Sequence, residues 1–228
     1  MSACSNCSVR EKAICQSLCE ADLEAMSQMG RRHTIASGET LMWQGDEEMC
    51  VGNVIEGVLK LTASTSDGRE QTLGICYPSD FIGRPFGRTS SHSVVAVSEA
   101  KVCTFPRSAF DRFAQGHPDL EHKLLQRTLT ELDRSRQWMV LLGRKSAGER
   151  LAAFLLDMAD RLGAEDAQGH ARFELPFGRQ DIADLLGLTI ETVSRQITRL
   201  REDGVIATPD RRGVIVLDRD RLFDCAGE

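Results

Sequence analysis

The pattern of apolar and polar positions changes twice along the chain. In its first half, short runs of strand-forming residues alternate with glycines, as in Thr40–Trp43, Val58–Thr62 and Ser93–Val97. Several short strands with turn residues at this spacing predict a small β-sandwich or jelly roll. The Asp67-Gly68 pair predicts a hairpin turn between two of these strands, because such residues adopt the positive φ angles that the turn requires.

After Pro106 the apolar spacing becomes helical. Pro118 predicts the first turn of a long helix that extends to about Gly143, because proline is favoured at that position. Positions 125, 129, 132, 136 and 139 follow one another at alternating steps of four and three, which is the spacing of a coiled-coil seam. The seam is apolar except at Arg136, which interrupts it with Asp133 beside it. We therefore predict that this helix pairs with the same helix of a second chain. The predicted dimerisation residues are Leu125, Leu129, Leu132, Asp133, Arg136 and Met139.

The last part of the chain predicts two short helices around a tight turn, followed by a β wing at residues 213–217. Gly187 can take the left-handed conformation that ends the first helix, and Thr189 can cap the second. In a helix-turn-helix the second helix enters the major groove, where Arg195 can bind guanine and Glu191 can accept a hydrogen bond from cytosine. The predicted partner is double-stranded promoter DNA. The candidate DNA contacts are Arg179, Gln180, Thr189, Glu191, Ser194 and Arg195.

Charge and composition narrow the class of protein. The net charge of −6 argues mildly against nucleic-acid binding, so DNA contact requires a local basic face. No apolar run approaches the roughly 18–20 residues of a membrane span, and the polar N-terminus is not a signal peptide. We therefore expect a cytoplasmic protein with no membrane partner. The sequence has no nucleophile elbow, phosphate loop or paired acid–base motif, so we do not expect an enzyme.

Four of the eight cysteines lie within the first nineteen residues, at Cys4, Cys7, Cys15 and Cys19. In the reducing cytoplasm, clustered cysteines indicate metal or redox ligands rather than disulfides. The residues alone leave two kinds of site open: a closed four-cysteine zinc site within this arm, and an iron–sulfur site.

Almost the whole chain resembles the bacterial CRP/FNR family of transcription regulators. The Glu-x-x-Ser-Arg motif of the predicted reading helix is similar to the FNR branch, whereas the cyclic-AMP branch typically has an additional arginine at the position of Ile190. The motifs that carry the resemblance are Gly38–Leu41, Gln44–Asp46, Gly57–Leu61, Glu149–Phe154, Arg179–Ile182 and Glu191–Arg195.

The resemblance implies an α+β fold with an N-terminal jelly-roll β-barrel sensory domain, a long dimerisation helix and a C-terminal winged helix-turn-helix. It also implies half-sites like TTGAT in an inverted repeat, bound by a homodimer that contacts RNA polymerase, for which the Ser64–Arg69 loop is a candidate surface. The expected domains are a cysteine-rich arm at 1–20, the barrel at 21–116, the dimerisation helix at 117–145 and the DNA-binding domain at 146–228.

The resemblance further implies a [4Fe–4S] cluster. Oxygen-sensing members of the FNR branch use three cysteines of an N-terminal arm and one barrel cysteine in a Val-Cys-x-x-Pro context, which here is Val102–Pro106. The arm spacing C-x2-C-x7-C matches the alphaproteobacterial variant. The implied ligands are Cys4, Cys7, Cys15 and Cys103, with Cys19 as an alternate.

A cyclic-nucleotide ligand is not expected. The cyclic-AMP branch binds ribose through a glutamate and phosphate through an Arg-Ser pair. Here Arg84 stands at the position of the glutamate, and the phosphate position within Ser90–Ser93 has no arginine, although a buried anion needs a countercharge. The expected function is an oxygen-responsive transcription regulator. The alternatives are a zinc- or thiol-dependent regulator of the same family, and an effector-binding protein or enzyme that shares only the barrel.

Overall fold

The structure is a computed structural model that describes residue 4 and residues 6–47, 50–68 and 70–227. It divides into two compact units between Ser135 and Arg136. None of the helices in the described part of the chain is both long enough and apolar enough to cross a membrane.

The first unit is built around two four-stranded antiparallel sheets, which confirms the predicted β-sandwich. The sheets have the strand orders β1-β8-β3-β6 and β2-β7-β4-β5. Apolar side chains such as Val54, Leu59 and Val102 form the core between them. The strands are β1 (Arg31–Ile35), β2 (Thr40–Met42), β3 (Cys50–Glu56), β4 (Leu59–Ser64), β5 (Glu70–Cys76), β6 (Phe81–Ile82), β7 (Ser93–Ala96) and β8 (Ala100–Pro106).

The turn between β4 and β5 has the predicted positive φ at its glycine but not at Asp67. Gly68 has a φ of 85° and its N–H donates to the Thr65 carbonyl, at 2.9 Å. Arg69, which belongs to the loop predicted to face RNA polymerase, lies outside the described residues.

A second apolar core covers the outer face of the β1-β8-β3-β6 sheet. Successive residues of a strand point to opposite faces, so Val102 enters the sandwich while Phe105 faces outward. Phe105 packs there with Leu18 of the arm and Leu120 of α3. The helices of this region are a 3-10 turn (Ile14–Ser17), α1 (Glu20–Met29), α2 (Arg107–Gln115) and α3 (Pro118–Arg144).

The second unit contains the winged helix-turn-helix. Its small sheet has the order β11-β12-β10-β9, and α4 packs against α6, α7 and β10. The sequence pattern did not predict two of its elements: the short strand β9, and the helix α7 that follows the wing. The elements are α4 (Ala147–Leu162), β9 (Ala164–Glu165), β10 (Ala171–Glu174), α5 (Arg179–Leu186), α6 (Ile190–Glu202), β11 (Ile206–Ala207), β12 (Gly213–Val216) and α7 (Arg219–Ala226).

Candidate functional sites

The four cysteines named as cluster ligands line one small cavity. Cys4, Cys7 and Cys15 come from the arm, and Cys103 comes from β8. Cys4 and Cys7 lie near enough to both Cys15 and Cys103 to act electrostatically on them. The fold therefore brings Cys103 to the arm from a distant part of the sequence.

A row of three residues across the sheet forms the floor of this cavity. Cys103 on β8 is paired with Arg32 on β1 and with Asn53 on β3. Directly opposite residues on neighbouring antiparallel strands share a face, with Cβ atoms about 4.5–5.5 Å apart. The thiol of Cys103 is therefore flanked by a guanidinium on one side and a buried amide on the other.

The arm forms the roof. The N–H of Arg10 donates to the Cys7 carbonyl (3.1 Å) and that of Ala13 to the Val9 carbonyl (2.8 Å), so the segment folds as consecutive turns. Val9 and Ala13 pack on Ile55 of β3 and close that side to water. The sequence pattern did not predict that the arm covers the cavity, because the apolar positions of the arm are few and widely spaced.

Burial and crowding keep Cys15 and Cys103 in the thiol form. Burial, and then the neighbouring Cys4, raise the pKa of Cys15 to about 12. Burial and Cys4 likewise raise the pKa of Cys103 to about 11, against an opposing effect of Arg32. A bound cationic centre reverses this balance, because a coordinating thiol is deprotonated by the metal.

The donor set of the cavity suits an iron–sulfur cluster. Such clusters are held by four cysteine thiolates in a poorly solvated site, and the cavity offers four thiols between apolar side chains. Its volume is about 20 Å³, which is the room of about one water molecule. The cavity therefore has to widen to admit a cluster.

Cys19 does not line this cavity. Its exposed thiol donates to Oδ2 of Asp22 at 3.0 Å, in the first turn of α1. Within the described residues, no three or more His, Cys, Asp or Glu side chains are arranged to hold a single metal ion. Of the two candidates for the fourth ligand, Cys103 is the one that the structure brings to the other three.

The helix-turn-helix has the predicted geometry. Gly187 ends α5 in the left-handed conformation (φ 62°, ψ 42°), and the Thr189 hydroxyl caps α6 by accepting from the Thr192 N–H at 3.3 Å. One side of α6 is buried through Val193, Ile197 and Leu200. The predicted base-reading residues, Glu191, Ser194 and Arg195, are exposed on its other side.

Electrostatics around α5 and α6 suit a DNA surface. Hydrogen bonds from its own backbone N–H and from the Thr189 hydroxyl lower the pKa of Glu191, which favours the acceptor form. Arg179 is half-buried, and its Nη1 has no hydrogen-bond partner among the described residues. Burial and the nearby Arg211 of the wing lower the pKa of Arg179. A phosphate would satisfy both guanidinium groups. The side-chain amide of Gln180, which was also predicted to contact DNA, donates to Oδ1 of Asp184 at 2.7 Å.

Arg150 holds the helices of this unit together, a role that the sequence did not reveal. Its guanidinium donates to three backbone carbonyls: Leu142 at 2.8 Å, Lys145 at 2.9 Å and Leu186 at 3.0 Å. The last carbonyls of a helix have no intrahelical partner. Arg150 therefore caps the ends of α3 and α5 together and fixes the helix-turn-helix on α4.

Comparison with known proteins agrees with both halves of this structure. Residues 32–117 match the family model of the cyclic nucleotide-binding domain, and residues 149–225 match that of the Crp-like helix-turn-helix domain. The chain is 40% identical to the transcriptional activator protein FnrL of Cereibacter sphaeroides, over 99% of this chain and 92% of that protein. The chain belongs to the CRP/FNR family of transcription regulators.

Two further relatives in this family support the assignment. The nitrogen fixation regulation protein FixK of Bradyrhizobium diazoefficiens is 41% identical over 96% of this chain and 92% of its own length. The solved structure of FixK2 from Bradyrhizobium japonicum has a TM-score of 0.80 and 31% identity, and covers 86% of this chain and 96% of that chain. The expected fold, with a β-sandwich, a long helix and a helix-turn-helix, is thereby confirmed.

A larger cavity of about 640 Å³ lies between the sandwich and α3. It is lined by Arg84, which the family resemblance places at the ribose position, and by Asp80 and Arg134. Arg134 Nη1 lies 3.4 Å from Asp80 Oδ2. This ion pair fastens α3 to the loop after β5.

The predicted dimerisation seam is exposed. Leu125, Leu129, Leu132 and Met139 have relative exposures of 56%, 53%, 43% and 73%. Leu120 and Leu124, on another side of α3, are buried in the core of the first unit. An exposed apolar row of this kind is typical of a helix that pairs with a partner. Asp133 and Arg136 are exposed beside this row.

Proposed function

We propose that this CRP/FNR-family chain is an oxygen-responsive transcription activator that binds a [4Fe–4S] cluster through Cys4, Cys7, Cys15 and Cys103. The observation that carries the proposal is their convergence on one cavity that excludes Cys19. Activation is proposed because FnrL is named a transcriptional activator. When bound, the cluster supplies an iron–sulfur centre that oxygen degrades.

The residues around the cavity suit a link between the arm and α3. Cys15 and Cys103 pack against the same apolar core as Leu120 and Leu124 of α3. One polar contact joins the arm to α3, and a second joins α1 to the residue before α3. Lys123 Nζ donates to Gln16 Oε1 at 2.9 Å, and His117 Nε2 lies 3.2 Å from Asp22 Oδ1. A change in arm position therefore alters the support of the first turns of α3.

Because the chains would pair through α3, the support of this helix by the arm would change the equilibrium between monomer and dimer. The exposed leucines favour a dimer, whereas the adjacent Asp133 and Arg136 carry charges that lose solvation when the seam closes. The free energies of monomer and dimer are then nearly equal, so a modest free energy from the arm shifts the monomer–dimer equilibrium. A dimer presents two copies of α6 to half-sites one DNA turn apart, here of the TTGAT type. A monomer reaches one half-site and loses the gain in effective concentration.

Two partners complete the proposal. Arg179 and Arg195 would contact promoter DNA, one at phosphate and one at guanine. RNA polymerase is the proposed protein partner, through the loop that begins at Ser64. A transcription regulator of this kind would act in the cytoplasm, without a cyclic nucleotide as ligand.

Purification without oxygen tests this proposal against the zinc- or thiol-dependent alternative. We expect a brown protein with iron and sulfide that elutes as a dimer and binds a TTGAT inverted repeat. Exposure to air should bleach it, with loss of the dimer and of specific binding. A colourless protein with one zinc per chain would favour the alternative, and so would air-sensitive binding in a protein without iron.

A further inference from the structure

Asn53 carries a side-chain amide that is buried on the outer face of the sandwich, under the arm. Its residue is 2% exposed, in the middle of β3, where residues 51–55 are all buried. Its Oδ1 has no hydrogen-bond partner within the described part of the chain. Buried polar atoms are nearly always paired in native proteins, so each exception calls for an explanation.

The position of Asn53 supplies that explanation. It lies directly opposite Cys103 in the ladder between β3 and β8, on the face covered by the arm. Its Nδ2 lies 4.0 Å from the sulfur of Cys15, at the long end of an N–H···S contact. One amide thus lies beside one arm cysteine and the barrel cysteine together.

An amide suits both chemical states of these sulfurs. A thiolate accepts a hydrogen bond from the amide N–H, whereas a thiol can donate to the amide oxygen. Neutral side chains with this double capacity stabilise negative sulfur without adding a charge of their own. Hydrogen bonds to ligand sulfurs are among the means by which a protein tunes an iron–sulfur cluster.

We propose that Asn53 is a positioning residue for the cluster, donating its amide N–H to the ligand sulfur of Cys15 beside Cys103 and thereby slowing loss of the cluster in air. This inference rests on the proposed function. Arg32, on the other side of Cys103, supplies the positive charge of the same row. The amide supplies the directed hydrogen bond.

The full-length Asn53→Leu variant separates positioning from a purely structural role. Leucine has a similar shape but cannot hydrogen-bond, so the cluster-free variant should unfold at the same temperature as the wild type or higher, because an unpaired buried acceptor is removed. After anaerobic assembly with iron and sulfide, its visible absorbance should bleach in air about 10-fold faster, within the range that outer-shell partners contribute. Asn53→Val, which suits a β-strand and likewise lacks a hydrogen-bond donor, should bleach at about the same rate as the leucine variant.

Thr72→Val is the matched control, because Thr72 is also a buried polar residue but belongs to β5 of the other sheet. It should bleach at the wild-type rate. Equal bleaching of Asn53→Leu and wild type overturns the inference. So does a lower unfolding temperature of the cluster-free Leu variant that accounts for its faster bleaching. If the Leu variant does not fold, Asn53→Val carries the test, and bleaching at the wild-type rate overturns the inference. A wild-type protein that assembles no cluster refutes the proposed function, and the inference with it.

Discussion

Cys103 on β8 and Cys15 of the arm line the same small cavity, although most of the sandwich separates the two residues in sequence. This proximity joins the arm to the barrel. A cluster site confined to the arm would affect the conformation of the arm alone. A site shared with β8 also affects the apolar core in which Leu120 and Leu124 of α3 are buried.

Asp133→Ala should shift the protein toward the dimer. The change removes a charge from beside the exposed seam and so lowers the desolvation cost of pairing. We expect a smaller monomer fraction in air by analytical ultracentrifugation, and tighter binding to the inverted repeat in air. Asp119→Ala, on the same helix but away from the seam, is the control. An unchanged monomer fraction in Asp133→Ala would refute the role of the charged seam.

Arg195→Ala should weaken binding to the specific DNA site by about 1–3 kcal/mol per half-site, the value of a bidentate guanine contact. The loss should shrink when the contacted guanine is replaced, because the wild-type protein then lacks the contact as well. Measuring the affinity of both proteins for DNA sites with single base changes tests this prediction. If Arg195→Ala keeps the full wild-type base preference, the assignment of Arg195 to a base edge is wrong.

Arg179→Ala should weaken binding in a different way. Arg179 is half-buried beside Arg211 and suits a phosphate rather than a base. Affinity should fall by a similar factor on every DNA sequence, and the slope of log K against log salt should decrease in magnitude by about 1 per half-site. A loss limited to specific sites would contradict the phosphate assignment. Affinity measured at several salt concentrations distinguishes the two outcomes.

Arg150→Met should destabilise the protein by about 2–4 kcal/mol, because three backbone carbonyls lose a charged donor while the apolar stem is retained. Denaturant unfolding of the cluster-free protein measures this. Arg199→Met is the control, since Arg199 is mostly exposed and forms a long ion pair with Asp203, at 3.8 Å. The control should lose less than about 0.5 kcal/mol. Equal stability of the two variants would show that Arg150 does not hold the helix ends.

The sequence predicted the elements whose signals are local. Pro118 marked the start of α3, and Gly187 and Thr189 marked the turn and the second helix of the reader, as the structure confirms. Helix α7 was missed because its charged, short sequence buries only Leu222 and Ala226.

Contacts that depend on register or on backbone atoms could not be predicted. The place of Asn53 beside Cys103 follows from the pairing of β3 with β8. The partners of Arg150 are carbonyls at the ends of two helices, and no residue type in the sequence indicates them. The ligand set itself came from family resemblance, and the residues alone left the arm-only zinc site open.

The most direct test of the central claim is iron and sulfide analysis of anaerobically purified Cys103→Ala and Cys19→Ala proteins beside the wild type. The account predicts about four irons and four sulfides per chain in the wild type and in Cys19→Ala, and loss of both elements in Cys103→Ala. Retention of the full cluster in Cys103→Ala together with its loss in Cys19→Ala would contradict the account and confine the site to the arm.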